Sequence, residues 1–116
     1  MNLLNCYRIV TFVPQDYVEP VVDAVCGSGA LTYGNYDDVL WFSQPGTGQF
    51  TPIEGADPTQ GEIGKRERVE EVRLEFSILK DETKLEQLLH DVLIPAHPWE
   101  EPAIYVSETR ETRSAV

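Results

Sequence analysis

Two kinds of hydrophobic period run along this chain. In residues 68–79 the apolar positions alternate with polar ones: Val72, Leu74, Phe76 and Ile78 fall on one side, Glu71, Arg73, Glu75 and Ser77 on the other. A period of two sends successive side chains to opposite faces, which predicts a half-buried strand of the antiparallel kind. Residues 4–13 carry a denser pattern. Cys6, Tyr7, Ile9, Val10, Phe12 and Val13 form a nearly continuous apolar run stopped by Pro14, which predicts a central strand buried on both faces.

Helical spacing appears twice. Val18, Val21, Val22 and Val25 repeat at i, i+3, i+4 and i+7, behind an Asp16-x-x-Glu19 capping signature. Pro20 fits only in the first turn, where no intrahelical donor is needed, and Gly27-Ser28-Gly29 stops the helix. Leu85, Leu88, Leu89 and Val92 repeat the spacing after Asp81 as N-cap, with Pro95 as the expected stop.

The connections are less regular. Residues 34–38 (Gly-Asn-Tyr-Asp-Asp) read as a turn, residues 39–43 as a strand, residues 45–48 as a hairpin turn and residues 49–53 as a short strand confined to an edge by Pro52. Residues 54–65 contain three glycines and a proline and read as a loop. Residues 104–107 read as the last strand. The polar residues after them are expected to fray, so the domain is placed at 1–110 and a frayed tail at 111–116.

The resulting order is strand, helix, strand and hairpin partner, strand, helix, strand. It predicts an α+β sandwich in which one antiparallel sheet carries both helices on one face, as in ferredoxin-like folds. A first strand buried on both sides needs a second cover, and in a chain of 116 residues a neighbouring subunit is the expected one.

Composition narrows the function classes. Twenty acidic residues against nine basic ones give a formal charge of −11, which repels phosphate backbones and anionic lipid. Neither nucleic acid nor a membrane is an expected partner. The two cysteines, Cys6 and Cys26, have no metal-type spacing and read as free thiols in a reducing compartment. The first residues lack a basic region followed by a long apolar core, so a cytoplasmic location is expected. No glycine-rich phosphate loop precedes a helix, and no serine or cysteine occupies a nucleophile motif.

Chemistry-bearing residues concentrate in Ala96-His97-Pro98-Trp99-Glu100-Glu101-Pro102-Ala103. His97 is the group that titrates near neutrality, and a carboxylate beside it could orient the imidazole or share a cation with it. Glu100 and Glu101 are adjacent, so in extended chain they point to opposite faces and only one shares a pocket with His97. Trp99 reads as a wall with an indole N–H donor, or as an anchor to the core or a subunit contact. A second polar cluster is Tyr33, Asn35, Tyr36, Asp37 and Asp38, in which the adjacent acids read as solvated. His90 reads as a surface residue of the second helix.

Several blocks in the same order resemble the Nif-three-like proteins. They are residues 29–37 (GALTYGNYD), the Gly46-Thr47-Gly48-Gln49-Phe50-Thr51-Pro52 turn, the Gly55-to-Gly61 loop, the Glu70-to-Glu75 strand and the Ala96-to-Ala103 signature. The resemblance is to the domain inserted in the longer, YqfO-type members, read here as standing alone. That insert is similar to CutA and PII-like domains, which implies a ferredoxin-like fold and a homo-oligomer, a trimer over a dimer. Trp99 replaces the tyrosine of the family signature. The two-metal site of the longer proteins belongs to flanking halves, so their hydrolase-like activity does not transfer to this chain.

The expectation is therefore a non-enzymatic oligomeric module with a site in a cleft between subunits. His97 and Glu100 are the expected ligands of a divalent metal ion. Gly34, Asn35, Tyr36, Trp99 and Glu101 are the expected ligand-binding residues. The alternatives are a purely structural oligomerisation domain and an enzyme using His97 as general base.

Overall fold

A computed structural model describes residues 1–114 of the chain. The class is α+β. Strand β1 (Asn2–Pro14) leads through a 3-10 turn (Gln15–Tyr17) into α1 (Val18–Gly27). Two short strands follow, β2 (Trp41–Phe42) and β3 (Gly46–Phe50), then the long β4 (Glu67–Leu79). A second helical segment begins as α2 (Glu82–Gln87), continues as a π-helical stretch (Leu88–Leu93) and closes with Ile94–Ala96. The last strand is β5 (Ile104–Arg113).

All pairings are antiparallel, and the sheet order is β2-β4-β1-β5, with β3 also on β4. The register aligns Tyr7 with Ile78, Ile9 with Phe76, Thr11 with Leu74 and Val13 with Val72. These eight residues share one face, and every one of them is buried. Val18, Val21 and Val25 of α1 and Leu85, Leu88 and Leu93 of the second helical segment join that same core, so both helices cover one face of the sheet. Burying an aliphatic side chain contributes about 1.5–3 kcal/mol, and this layer is the main source of stability.

The opposite face is different. Arg8, Val10 and Phe12 of β1 are only half-buried, so the central strand is fully covered on one side alone. Beside them Tyr105 is 59% exposed and Trp41 53%. The expectation of a strand buried on both faces is corrected to this extent: among the described residues the 31–41 connection reaches this face beside Arg8, Ser77 and Arg113, where Cys6, Ser77 and Arg113 are buried, and leaves Val10, Phe12 and Tyr105 open.

Other local departures have physical reasons. The 16–19 capping signature does not form: Tyr17 is the N-cap of α1, without a side-chain bond, and Asp16 lies in the 3-10 turn. Pro95 does not stop the second helix. The chain widens into a π-helical stretch and stays helical to Ala96, and the His97 N–H still reaches Leu93 O at 3.0 Å. A wider turn relieves the clash of a proline ring with the preceding carbonyls. Asp81 caps α2 as expected, accepting from Lys84 N at 3.1 Å.

The segment read as a turn and hairpin is instead one interrupted edge strand. Trp41–Phe42 lies opposite Glu75 and Leu74, and Gly46–Phe50 lies opposite Glu71 to Glu67. Between them Ser43 bridges the gap: its N–H donates to Arg73 O and its Oγ accepts from Arg73 N, both at 3.0 Å. The final strand is longer than expected. Residues 108–113 do not fray but pair with β1 as far as Asn2↔Arg113; the last two residues of the expected tail lie outside the described residues. Among the described residues no helix is long and apolar enough to cross a membrane.

Candidate functional site

The signature stretch leaves the second helix and crosses the end of the sheet where β1 finishes. His97 is buried, and both ring nitrogens are engaged. Nε2 lies 2.8 Å from Phe12 O, and Nδ1 accepts from Trp99 N at 3.2 Å. A carbonyl only accepts and a backbone N–H only donates. One tautomer satisfies both: neutral imidazole with its proton on Nε2. Burial holds His97 below the ordinary imidazole value, against the opposing pull of the Phe12 carbonyl and the Glu71 carboxylate. Protonating Nδ1 would also set an N–H against the N–H of Trp99.

The neighbouring side chains are tied in the same way. Trp99 Nε1 donates to Glu71 Oε2 at 3.0 Å, and its ring meets Phe50 edge-on at 5.6 Å. The Glu100 carboxylate accepts from Asp57 N at 3.0 and 3.1 Å, and Thr59 Oγ1 donates to Pro98 O at 2.7 Å. These bonds pin the 51–66 connection against the 97–100 segment. Thr11 Oγ1 donates to Ala103 O at 2.9 Å and fixes the entry to β5. The stretch is a clasp joining β1, β3, β4 and the long loop.

This arrangement bears on each expected role. His97 has no free lone pair for a metal ion or for taking a proton, and Glu100 points to the loop backbone. No group of three His, Cys, Asp or Glu among the described residues is placed to hold a metal. Glu101 is exposed.

The second cluster sits elsewhere. Tyr33 and Tyr36 exchange backbone bonds of 2.7 and 3.1 Å around Gly34 and Asn35, with Gly34 at φ +62°, as a tight turn with glycine first requires. Tyr36 is 75% exposed. Gly34 and Asn35 line a cleft of about 660 Å³ with Lys80, Lys84 and Arg113. Tyr33 OH bonds Thr112 O, and Thr112 pairs with Leu3 at the start of β1, whereas His97 bonds Phe12 near its end. At about 3.3 Å per residue the two corners are about 30 Å apart. Within one chain they do not share a cleft. His90 is a surface residue, paired with Glu86 at 3.0 Å. Asp37 bonds Asp38 N at 2.9 Å and lies in the exposed turn.

Two arrangements had no sequence signal assigned to them. On the open face Arg8 bonds Glu75 at 2.7 Å and Ser77 at 3.0 Å, and Ser77 and Thr109 each donate to Glu111 at 2.6 Å. The other is Arg113, buried and stacked 3.9 Å from the Tyr33 ring centre. The alternation Thr109, Glu111, Arg113 was the available signal for a strand face there.

No protein-family model matches the chain. It is 36% identical over 107 residues to a protein of Staphylococcus aureus (strain N315) named "GTP cyclohydrolase 1 type 2 homolog", covering 91% of this chain and 28% of the relative. A protein of the same name from Bacillus subtilis (strain 168) is 36% identical over 105 residues, with 90% and 27% covered. A solved Bacillus cereus protein related to NIF3 superposes with a TM-score of 0.72 at 35% identity, covering 94% of this chain and 27% of that one. A solved Staphylococcus aureus protein at 22% identity and TM-score 0.59 shares the fold. The homologues are thus NIF3-like proteins, and the chain spans about a quarter of their length.

Proposed function

We propose that this chain is a non-catalytic module that assembles with copies of itself through the open face of its sheet. The observation that carries this reading is that face. Val10, Phe12, Tyr105 and Trp41 lie there without a covering layer among the described residues, and Phe12 and Tyr105 pack edge to face at 6.3 Å. Charges of both signs lie beside them, Arg8 and Arg73 with Glu75, which suits a contact with another copy of the chain. The strand order, with β2 and β3 counted as one edge strand, supports a ferredoxin-like, PII/CutA-like assignment. With that assignment goes a trimer over a dimer, and the reading of the chain as a single counterpart of the insert of YqfO-type proteins. The two polar corners, at opposite ends of one sheet, would meet only across such a contact.

The relatives' name speaks of a cyclohydrolase, and it belongs to proteins about four times longer than the matched segment. We propose no such activity for this chain. A general base needs a lone pair facing its substrate, and His97 has both nitrogens bonded within the fold. The same bonding argues against a divalent metal on His97 and Glu100.

Light scattering on a sizing column tests assembly. The expected mass is a multiple of 13.1 kDa for the wild type, three times being favoured, and 13.1 kDa for folded Tyr105→Glu. A wild type that stays monomeric at every concentration overturns the proposal.

A further inference from the structure

We propose that the cleft between the Gly34 turn and the start of α2 binds a phosphate group of a small molecule, with Arg113, Lys80 and Lys84 supplying the charge. The inference is independent of self-assembly. Its starting point is the state of Arg113. This side chain is 5% exposed, yet no carboxylate among the described residues pairs with it. Nη1 donates to Thr32 O at 3.1 Å and Nη2 reaches Ser77 O at 3.5 Å. Nε has no partner at all among the described residues. The Tyr33 ring offers a cation–π face, which compensates a buried guanidinium only in part. An unpaired buried charge is costly and is matched in most proteins by a counter-charge. Arg8 and Arg73 each have theirs in Glu75.

The surroundings say what the missing counter-charge is. Three of the nine basic residues of this acidic chain line one cleft. Lys80 leans on Glu108 at 3.0 Å, and Lys84 has no ion pair among the described residues. Asp81 is the acid in the wall, with its carboxylate turned to cap Lys84 N. Three cations against Asp81 and Glu108 leave a local excess of one positive charge, and three separate cationic donors suit the several oxygens of a phosphate better than a single carboxylate. Asn35 adds an amide at the rim. The cleft, about 660 Å³, lies within the range of small-molecule sites, roughly 300–1,000 Å³, and exceeds the need of a bare ion.

The test is an amide NMR titration of the full chain with inorganic phosphate against chloride at matched ionic strength. Saturable shifts are expected at residues 29–35, 78–84 and 113–114. Lys84→Gln, an exposed change that leaves the core intact, is expected to weaken binding about tenfold, the equivalent of one charge-assisted hydrogen bond. Arg113→Gln is expected to abolish binding; should that variant fail to fold, Lys84→Gln decides. Titration with acetate is expected to give no saturation. The proposal is overturned if phosphate and chloride act alike, if acetate saturates the same amides, or if Lys84→Gln binds as the wild type does.

Discussion

Replacing His97 tests the reading of the signature stretch as a clasp. In His97→Ala the Phe12 carbonyl and the Trp99 N–H both lose their partner, and a cavity opens under the 97–100 segment. An unsatisfied buried group costs about 1–3 kcal/mol, so the two groups and the cavity together give a loss of about 3–5 kcal/mol. That is a large share of the roughly 5–15 kcal/mol available to a domain. His97→Phe separates the contributions: it keeps most of the volume and leaves both partners unpaired, for a loss of about 2–4 kcal/mol. Urea unfolding followed by tryptophan fluorescence reads both. The dependence on pH has a definite sign. Burial holds the folded-state pKa of His97 below the ordinary 6.5, so the unfolded chain binds the extra proton first. The His97 contribution is intact above pH 6.5 and is lost as pH falls from there through the folded-state value. His97→Phe removes this slope. The reasoning is refuted if His97→Phe is as stable as the wild type, or if the two lose stability in parallel between pH 7 and 5.

Gly48→Ala would place a methyl group against the Glu71 carboxylate, forcing it from Trp99 Nε1. The expected cost is about 1 kcal/mol, with a changed Trp99 emission, and little further cost once Trp99→Phe has already removed the bond; a double-mutant cycle measures this coupling. Glu75→Gln breaks the half-buried pairing with Arg8 and Arg73, for a loss of about 1–2 kcal/mol at neutral pH. The hydrogen bond from Arg8, ahead of that from Arg73, holds the Glu75 carboxyl below its ordinary 4.5. Its contribution is present above pH 4.5 and lost as pH falls through the folded value, so acid unfolding of Glu75→Gln lacks that step.

The parts of the fold that were legible are those whose side chains carry a period. The inward faces of β1 and β4 and the apolar faces of the helices were readable because burial selects every second, or every third and fourth, residue. What escaped is held by backbone bonds or by distant partners. Gly46-Thr47-Gly48 has the composition of a turn, yet pairs with Glu71, Glu70 and Val69 because β4 offers an unpaired edge. Residues 108–113 have the composition of a solvated tail, yet form a strand because β1 extends to Asn2 and needs a neighbour.

The candidate site divides along the same line. The density of polar groups in residues 96–103 was visible; that they satisfy one another was not. The partner of His97 lies 85 positions away, and that of Trp99 lies 28 away. A polar group whose hydrogen bonds close within the fold has little left to offer a ligand, however suggestive its neighbours in sequence. The opposite holds for Arg113. It stands in the unremarkable run Glu-Thr-Arg-Ser, and only the pairing of β5 with the start of β1 buries it beneath Tyr33. Among the described residues its Nε has no hydrogen-bond partner and its charge no carboxylate, beside a cleft with two lysines. In this fold the chemistry left open lies with the buried cation at the end of the last strand, and the histidine motif holds the other end of the sheet together.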